Sequence, residues 1–170
     1  MTMLKIKTYT VALLVFIGVL LFSVMQTVVA QVSPPNRSLK ISDPRAGQAN
    51  VRYTIGFGVS NPGYVLGSFT LLFCDNSPLI GQPCTAPTGL DVSSAVLTSQ
   101  TGVTGFSIAP GATANSLVFT RTAAFVSTTY ITIEISGITN PSAVGTYFGR
   151  IQTYSSEDAT GVSVNEGGVT

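Results

Sequence analysis

The sequence has no histidine and no tryptophan, and Cys74 and Cys84 are its only cysteines. Without histidine there is no imidazole base, no imidazole metal ligand and no Ser-His or Cys-His pair. Lysine is almost as scarce. Beyond Lys5 and Lys7 there is only Lys40, so a Ser-Lys dyad would rest on one position in a segment that reads as edge strand or linker. Without tryptophan, sugar stacking would fall to tyrosines. Tyr53, Tyr130, Tyr147 and Tyr154 lie in strand-like segments, and Tyr64, beside Gly63 in a turn, is the one aromatic that a loop could expose, although a tyrosine capping the core is the favoured reading there. Charge is sparse too: after residue 30, six basic side chains stand against seven acidic ones, which gives nucleic acid nothing to hold.

The acids do not converge in sequence. Glu157-Asp158 sits in a serine-rich stretch and reads as a solvated turn. Asp75-Asn76 reads as a turn closed by its own side chains rather than as a calcium site. Paired carboxylates for glycoside hydrolysis have no spacing to support them. The expectation is therefore no catalytic residue, no cofactor and no metal.

What is present begins with an export signal. Lys5 and Lys7 form a positive n-region, and Val11 to Phe22 is an apolar run interrupted only by Gly18. Val28 and Ala30 supply the small residues of a signal-peptidase site, which places cleavage after Ala30. The alternative is an uncleaved anchor, since Val11 to Ala30 has about the ~20 residues needed to cross a hydrocarbon core. The organisation read from the sequence is a signal peptide over 1–30, a flexible lead with two prolines over 31–37, a single domain over 38–156, and a flexible or truncated segment over 157–170. Asn36-Arg37-Ser38 matches a glycosylation acceptor, a pattern too short to carry an assignment.

Within that domain the apolar period is two. Tyr53, Ile55, Phe57 and Val59 alternate with Arg52, Thr54, Gly56 and Gly58 before Asn61-Pro62-Gly63 stops the strand. Phe69, Leu71 and Phe73 follow in the same rhythm, and further strands are read at Gly105 to Ile108, Ser116 to Arg121, Tyr130 to Ser136 and Thr146 to Ser155. Asp91 to Leu97 reads as a helical turn with Asp91 as N-cap, or as a poorly patterned strand. Short strands at regular spacing, separated by Gly, Pro and Asn, predict an all-β antiparallel sandwich of about seven strands. The expected core is Tyr53, Ile55, Phe57, Phe69, Leu71, Phe73, Phe119, Ile131, Ile133, Ile135, Tyr147 and Ile151.

An even cysteine pair in an exported chain predicts a Cys74–Cys84 disulfide, pinning a strand end to the proline-rich stretch Asp75 to Leu90. Redox chemistry is disfavoured, because the spacing is far from Cys-x-x-Cys and no His or Lys lies nearby in sequence.

Gly145-Thr146-Tyr147, after a turn and at the start of a strand, resembles the tyrosine corner of immunoglobulin-like sandwiches, with Tyr147 as the corner residue. A cysteine at Gly149 and an earlier tryptophan, both expected of an antibody-type domain, are missing. Phe73-Cys74-Asp75 with Pro83-Cys84-Thr85, Pro87-Thr88-Gly89-Leu90-Asp91, Gly105-Phe106 and Thr139-Asn140-Pro141 with Gly145-Thr146-Tyr147 are similar to a family of uncharacterised exported β-proteins of uncultured, small-genome bacteria. That resemblance implies no activity. It does imply that sequence continues past acidic Gly-Gly segments such as Glu166-Gly167-Gly168, so Thr170 need not end the fold.

The expected function is a secreted or cell-surface structural or adhesive module that is not an enzyme, with loops at one end, notably Asp75 to Leu90, as binding surface. The alternatives are an extracellular glycan- or small-ligand-binding domain and, behind it, a carboxylate-based hydrolase or a filament subunit joined through an arm such as Gln31 to Ser42. The expected partner is a surface protein or glycan of unknown identity, with no nucleic acid, and a membrane only through an uncleaved signal.

Overall fold

The period-two segments become the inner faces of two sheets, because successive strand side chains point to opposite sides and only one side can leave water. The computed structural model describes residues 34–59, 64–126, 130–161 and 163–169, so the export segment and the Asn61-Pro62-Gly63 turn lie outside the described residues. Within them run β1 (Ser38–Ile41), β2 (Val51–Gly58), β3 (Val65–Cys74), β4 (Val96–Thr101), β5 (Ser107–Ile108), β6 (Ser116–Phe125), β7 (Tyr130–Ile138), β8 (Phe148–Tyr154) and β9 (Asn165–Val169). One sheet has the order β1-β2-β7-β4 and the other β5-β6-β3-β8-β9. All pairings are antiparallel.

This is an immunoglobulin-like sandwich. Strands β1, β2 and β7 take the A, B and E places, β4 that of D, and β3, β8 and β9 those of C, F and G. The middle of the chain departs from the usual order. After β3 it crosses at once to β4 on the far edge of the other sheet, then returns for β5 and β6.

Between the sheets, Ile55, Phe57, Ile131, Ile133 and Ile135 face Phe69, Leu71, Leu117, Phe119 and Ile151, all essentially without solvent contact. Phe69 is the hub: its ring stacks on Phe119 at 4.4 Å and meets Phe57 and Phe106 at 5.2 and 5.1 Å. Aromatic pairs of this kind stabilise by about 0.5–1.5 kcal/mol beyond the area they bury.

Four expectations need correction. There are nine strands among the described residues rather than about seven. Asp91 to Leu97 contains no helical turn: Asp91 bridges Thr139, Val92 to Ala95 make one reverse turn, and β4 begins at Val96. Asp91 does cap, but it caps that turn, its carboxylate accepting from the Ser93 amide at 2.8 Å and the Ser93 hydroxyl at 2.6 Å. The sandwich also extends past Ser156, since Asn165–Val169 pairs with β8. Its glycines have a reason: a Cβ on Gly168 would collide with the Pro78 carbonyl, so the loop after β3 can lie against this strand only where side chains are absent. Finally, Tyr147 is half-buried and stands one residue before β8, outside the core.

Candidate binding cleft

Of the proline-rich stretch after β3, expected to be the binding loop, residues 75–85 are fastened down, while Pro87 and Leu90 at its far end line the cleft described below. Cys74 and Cys84 are bonded, with Cα atoms 5.2 Å apart. The Asp75 amide donates to Thr85 O at 2.9 Å, and Asn76 holds both the Pro83 carbonyl and the Thr85 amide. From beneath, Arg150 on β8, only 4% exposed, donates its guanidinium hydrogens to the carbonyls of Ser77, Gln82 and Pro83 at 2.6–3.3 Å. A planar fork suits such gathering, since its donors diverge at fixed angles. Asp75 takes no part in any grouping of metal-ligating side chains among the described residues.

A concave surface lies at the same end, beside β1. Leu39 and Ile41 from β1, Tyr53 from β2, Phe73 from β3, and Tyr147 and Phe148 at the head of β8 line a cleft of about 470 Å³. Its walls are held by Asn140, which is 3% exposed. The Asn140 amide nitrogen donates to Asp43 O and Arg45 O, both at 2.8 Å, while its side-chain oxygen accepts from the Tyr53 hydroxyl at 2.8 Å. Burial pushes the Tyr53 phenol up to about 12. On the outer lip the Tyr147 hydroxyl donates back to Ala143 O at 2.9 Å, four residues upstream, and Val144 is 94% exposed. The Arg45 guanidinium grips Asp43 close by and holds its carboxyl below the usual range. The side-chain polar atoms of Asn140, Tyr53 and Tyr147 are thus bonded to the protein itself, and most of the surface left for a ligand is apolar.

The remaining sequence candidates fall elsewhere. Tyr64 packs against the core, as a capping residue does. Its hydroxyl is buried near Thr153 and Asn165, without a hydrogen-bond partner in good geometry among the described residues. Burial raises its pKa. Glu157 accepts the amide of Ala123 on β6, tying its loop to that strand, and Asp158 accepts from the Thr160 amide and hydroxyl, which lowers its pKa and closes a local turn. Sequence reasoning missed Asn140 and the cleft. Asn140-Pro141 reads as a turn signal, and only its contact with residues nearly a hundred positions upstream shows that it joins two loops.

No protein-family model matches this chain, and no curated protein matches it. Among solved structures it is similar to the collagen-binding domain from a Staphylococcus aureus adhesin, at 13% identity over 83% of this chain and 97% of that one, with a TM-score of 0.38. Nothing about this chain's ligand or activity follows from that likeness.

Proposed function

We propose that the chain is an exported, cell-surface β-sandwich module that acts by adhesion or as a structural unit, without catalysis, and that the cleft beside β1 is its contact surface. The observation carrying this reading is the make-up of the cleft. About 470 Å³ of concave surface is lined mainly by apolar and aromatic side chains, with Asn140 and Thr146 besides and no carboxylate, amine or thiol among them. Such a surface holds apolar groups by desolvation, and its lining offers the Thr146 and tyrosine hydroxyls no carboxylate, imidazole or amine as an activating base. The disulfide supports an oxidising compartment, and the n-region and apolar run support export. A hydrolase would need two converging carboxylates, one with a raised pKa. The acids whose pKa moves, Asp43, Asp91 and Asp158, all move down and lie in three separate turns. Glycan stacking is less favoured than polypeptide contact because Tyr53 and Tyr154 are buried and the half-exposed tyrosines do not gather on one face.

The test has two parts. Fractionation of the producing cell with intact-mass analysis should find a chain starting at Gln31 whose thiols alkylate only after reduction. Beads coated with the chain should adhere to extracellular polypeptides, and Ala46→Trp, which fills the cleft from an exposed position, should abolish adhesion without lowering Tm. Adhesion unchanged by Ala46→Trp would remove the cleft from the function.

A further inference from the structure

The two sides of the sandwich are finished differently. Between β4 and β5, where no backbone ladder reaches, the Gln100 side chain donates to Phe106 O at 3.0 Å and accepts from the Phe106 amide at 2.9 Å. Those two bonds imitate a strand pair and seal that side. The β1 side has no such seal among the described residues.

The register of β1 shows which of its groups remain open. Ser42 donates to Arg52 O at 2.9 Å, and Gly58, further along β2, donates towards the β1 side to Pro35 O at 2.7 Å. With Leu39 opposite Ile55 and Ile41 opposite Tyr53, antiparallel alternation directs the amides and carbonyls of Ser38 and Lys40 to β2, and the Arg52 amide donates to the Ser42 hydroxyl at 3.0 Å. Those of Leu39 and Ile41 point outward, and no backbone bond meets them among the described residues. The same two residues turn their side chains into the apolar cleft. Between them Lys40 projects from the opposite face, exposed and unpaired among the described residues, while its neighbours Arg52 and Glu134 pair with each other at 3.5 Å.

We propose that β1 is a strand-addition site for an extended polypeptide segment of the pattern apolar–acidic–apolar, supplied by another protein. This deepens the adhesive reading and rests on it. The added strand takes the outward amides and carbonyls of Leu39 and Ile41. Its residues opposite these two drop into the cleft, since directly paired residues share a face, and the acidic residue between them meets Lys40 on the outer face. A lysine on a short edge strand also discourages indiscriminate sheet pairing. Here it selects for an acidic partner.

The probe is a capped peptide with a Val-Asp-Val centre, titrated into the purified exported chain with backbone amide shifts as readout. Shifts centred on Leu39 and Ile41 are expected. Val-Asp-Val should bind roughly fivefold tighter than Val-Lys-Val, a cross-strand charge pair being a modest effect, and Lys40→Glu should invert that order. N-methylation of the two valine amides should abolish binding, a control that needs no protein variant. Ile41→Pro removes an outward N–H without touching the β2 ladder and should do the same. Equal binding of the N-methylated peptide, no preference between the charge partners, or shifts elsewhere would overturn the proposal. So would self-association of the chain lost in Ile41→Pro, which would make a second copy the occupant. If Ala46→Trp abolishes bead adhesion while no peptide binds β1, strand addition is wrong and the adhesive reading stands. If the peptide binds as described but the chain neither leaves the cell nor adheres, the adhesive reading is what fails.

Discussion

Two buried polar side chains at one end of the molecule use the same device with different results. Arg150 gathers three carbonyls of the loop after β3, and Asn140 gathers the carbonyls of Asp43 and Arg45 and the hydroxyl of Tyr53. Around Arg150 a disulfide and the Asn76 bonds close residues 75–85 onto the sheet. Around Asn140 the bonded walls stand apart, and β1 keeps an unpaired edge beside them. A buried polar anchor therefore does not by itself determine whether a loop is a seal or the rim of a site. The difference comes from whether the surrounding backbone is covalently and apolarly closed.

Removing the anchor of the open region should have the largest effect. Asn140→Ala leaves the Tyr53 hydroxyl and two carbonyls without their partner in a nearly dry position, and a loss of about 3 kcal/mol in chemical denaturation is expected. Amide exchange should rise in 43–48 and leave 75–84 unchanged. Breaking the staple of the closed region comes next. The Cys74→Ser, Cys84→Ser pair should lower stability by about 2–3 kcal/mol in the chain-entropy model for so short a loop. It should also make the loop a proteolysis site near exposed Leu79. Arg150→Met is expected to cost less, about 1–2 kcal/mol, because Gln82 and Pro83 lie at the surface and water can take over their carbonyls. Since it shares the loop with the disulfide, its cost should grow in the reduced protein, a coupling that a double-mutant cycle reads directly.

The Asn76-like fixing of the closed loop has a weaker counterpart at the rim of the cleft. Tyr147→Phe removes one half-exposed hydrogen bond to Ala143 and should lower stability by about 1 kcal/mol, with the 143–147 rim loosened first. The last effect belongs to the titration of Tyr53 and is confined to high pH. Its folded pKa, about 12, lies above the ordinary tyrosine value of 10.0 because burial opposes the phenolate. Its contribution is complete below pH 10, and stability then falls as pH rises through 12, the unfolded chain releasing its proton first. Tyr53→Phe should flatten that part of a Tm-against-pH curve. An unchanged slope would mean that the Asn140 anchor is wet.

Much of the sandwich was legible. Strict alternation identified β2, β3 and β7 because residues buried on one face only must repeat with period two. It failed where that rule has no purchase. β4 has one exposed apolar residue and a bulge, and β9 contains two glycines and almost no apolar signal. Both lie at or near sheet edges, where pairing partners rather than composition create the strand. Tyr147 was expected both in the core and as a corner residue whose hydroxyl bonds upstream backbone, and the two placements pull the ring in different directions. The phenol turns back to Ala143 O upstream, which keeps the ring at the rim and out of the core.

By itself the sequence determined the all-β class, the central core and the cysteine pair, since each depends on local periodicity or on there being a single available partner. Only the tertiary structure decided which loop is sealed and which surface stays open. Arg150 and the carbonyls of Ser77 and Gln82 are some seventy positions apart, as are, at still greater separation, Asn140 and the carbonyls of Asp43 and Arg45. Bonds over such separations exist only once the sheets have stacked, and no local pattern in the chain encodes them.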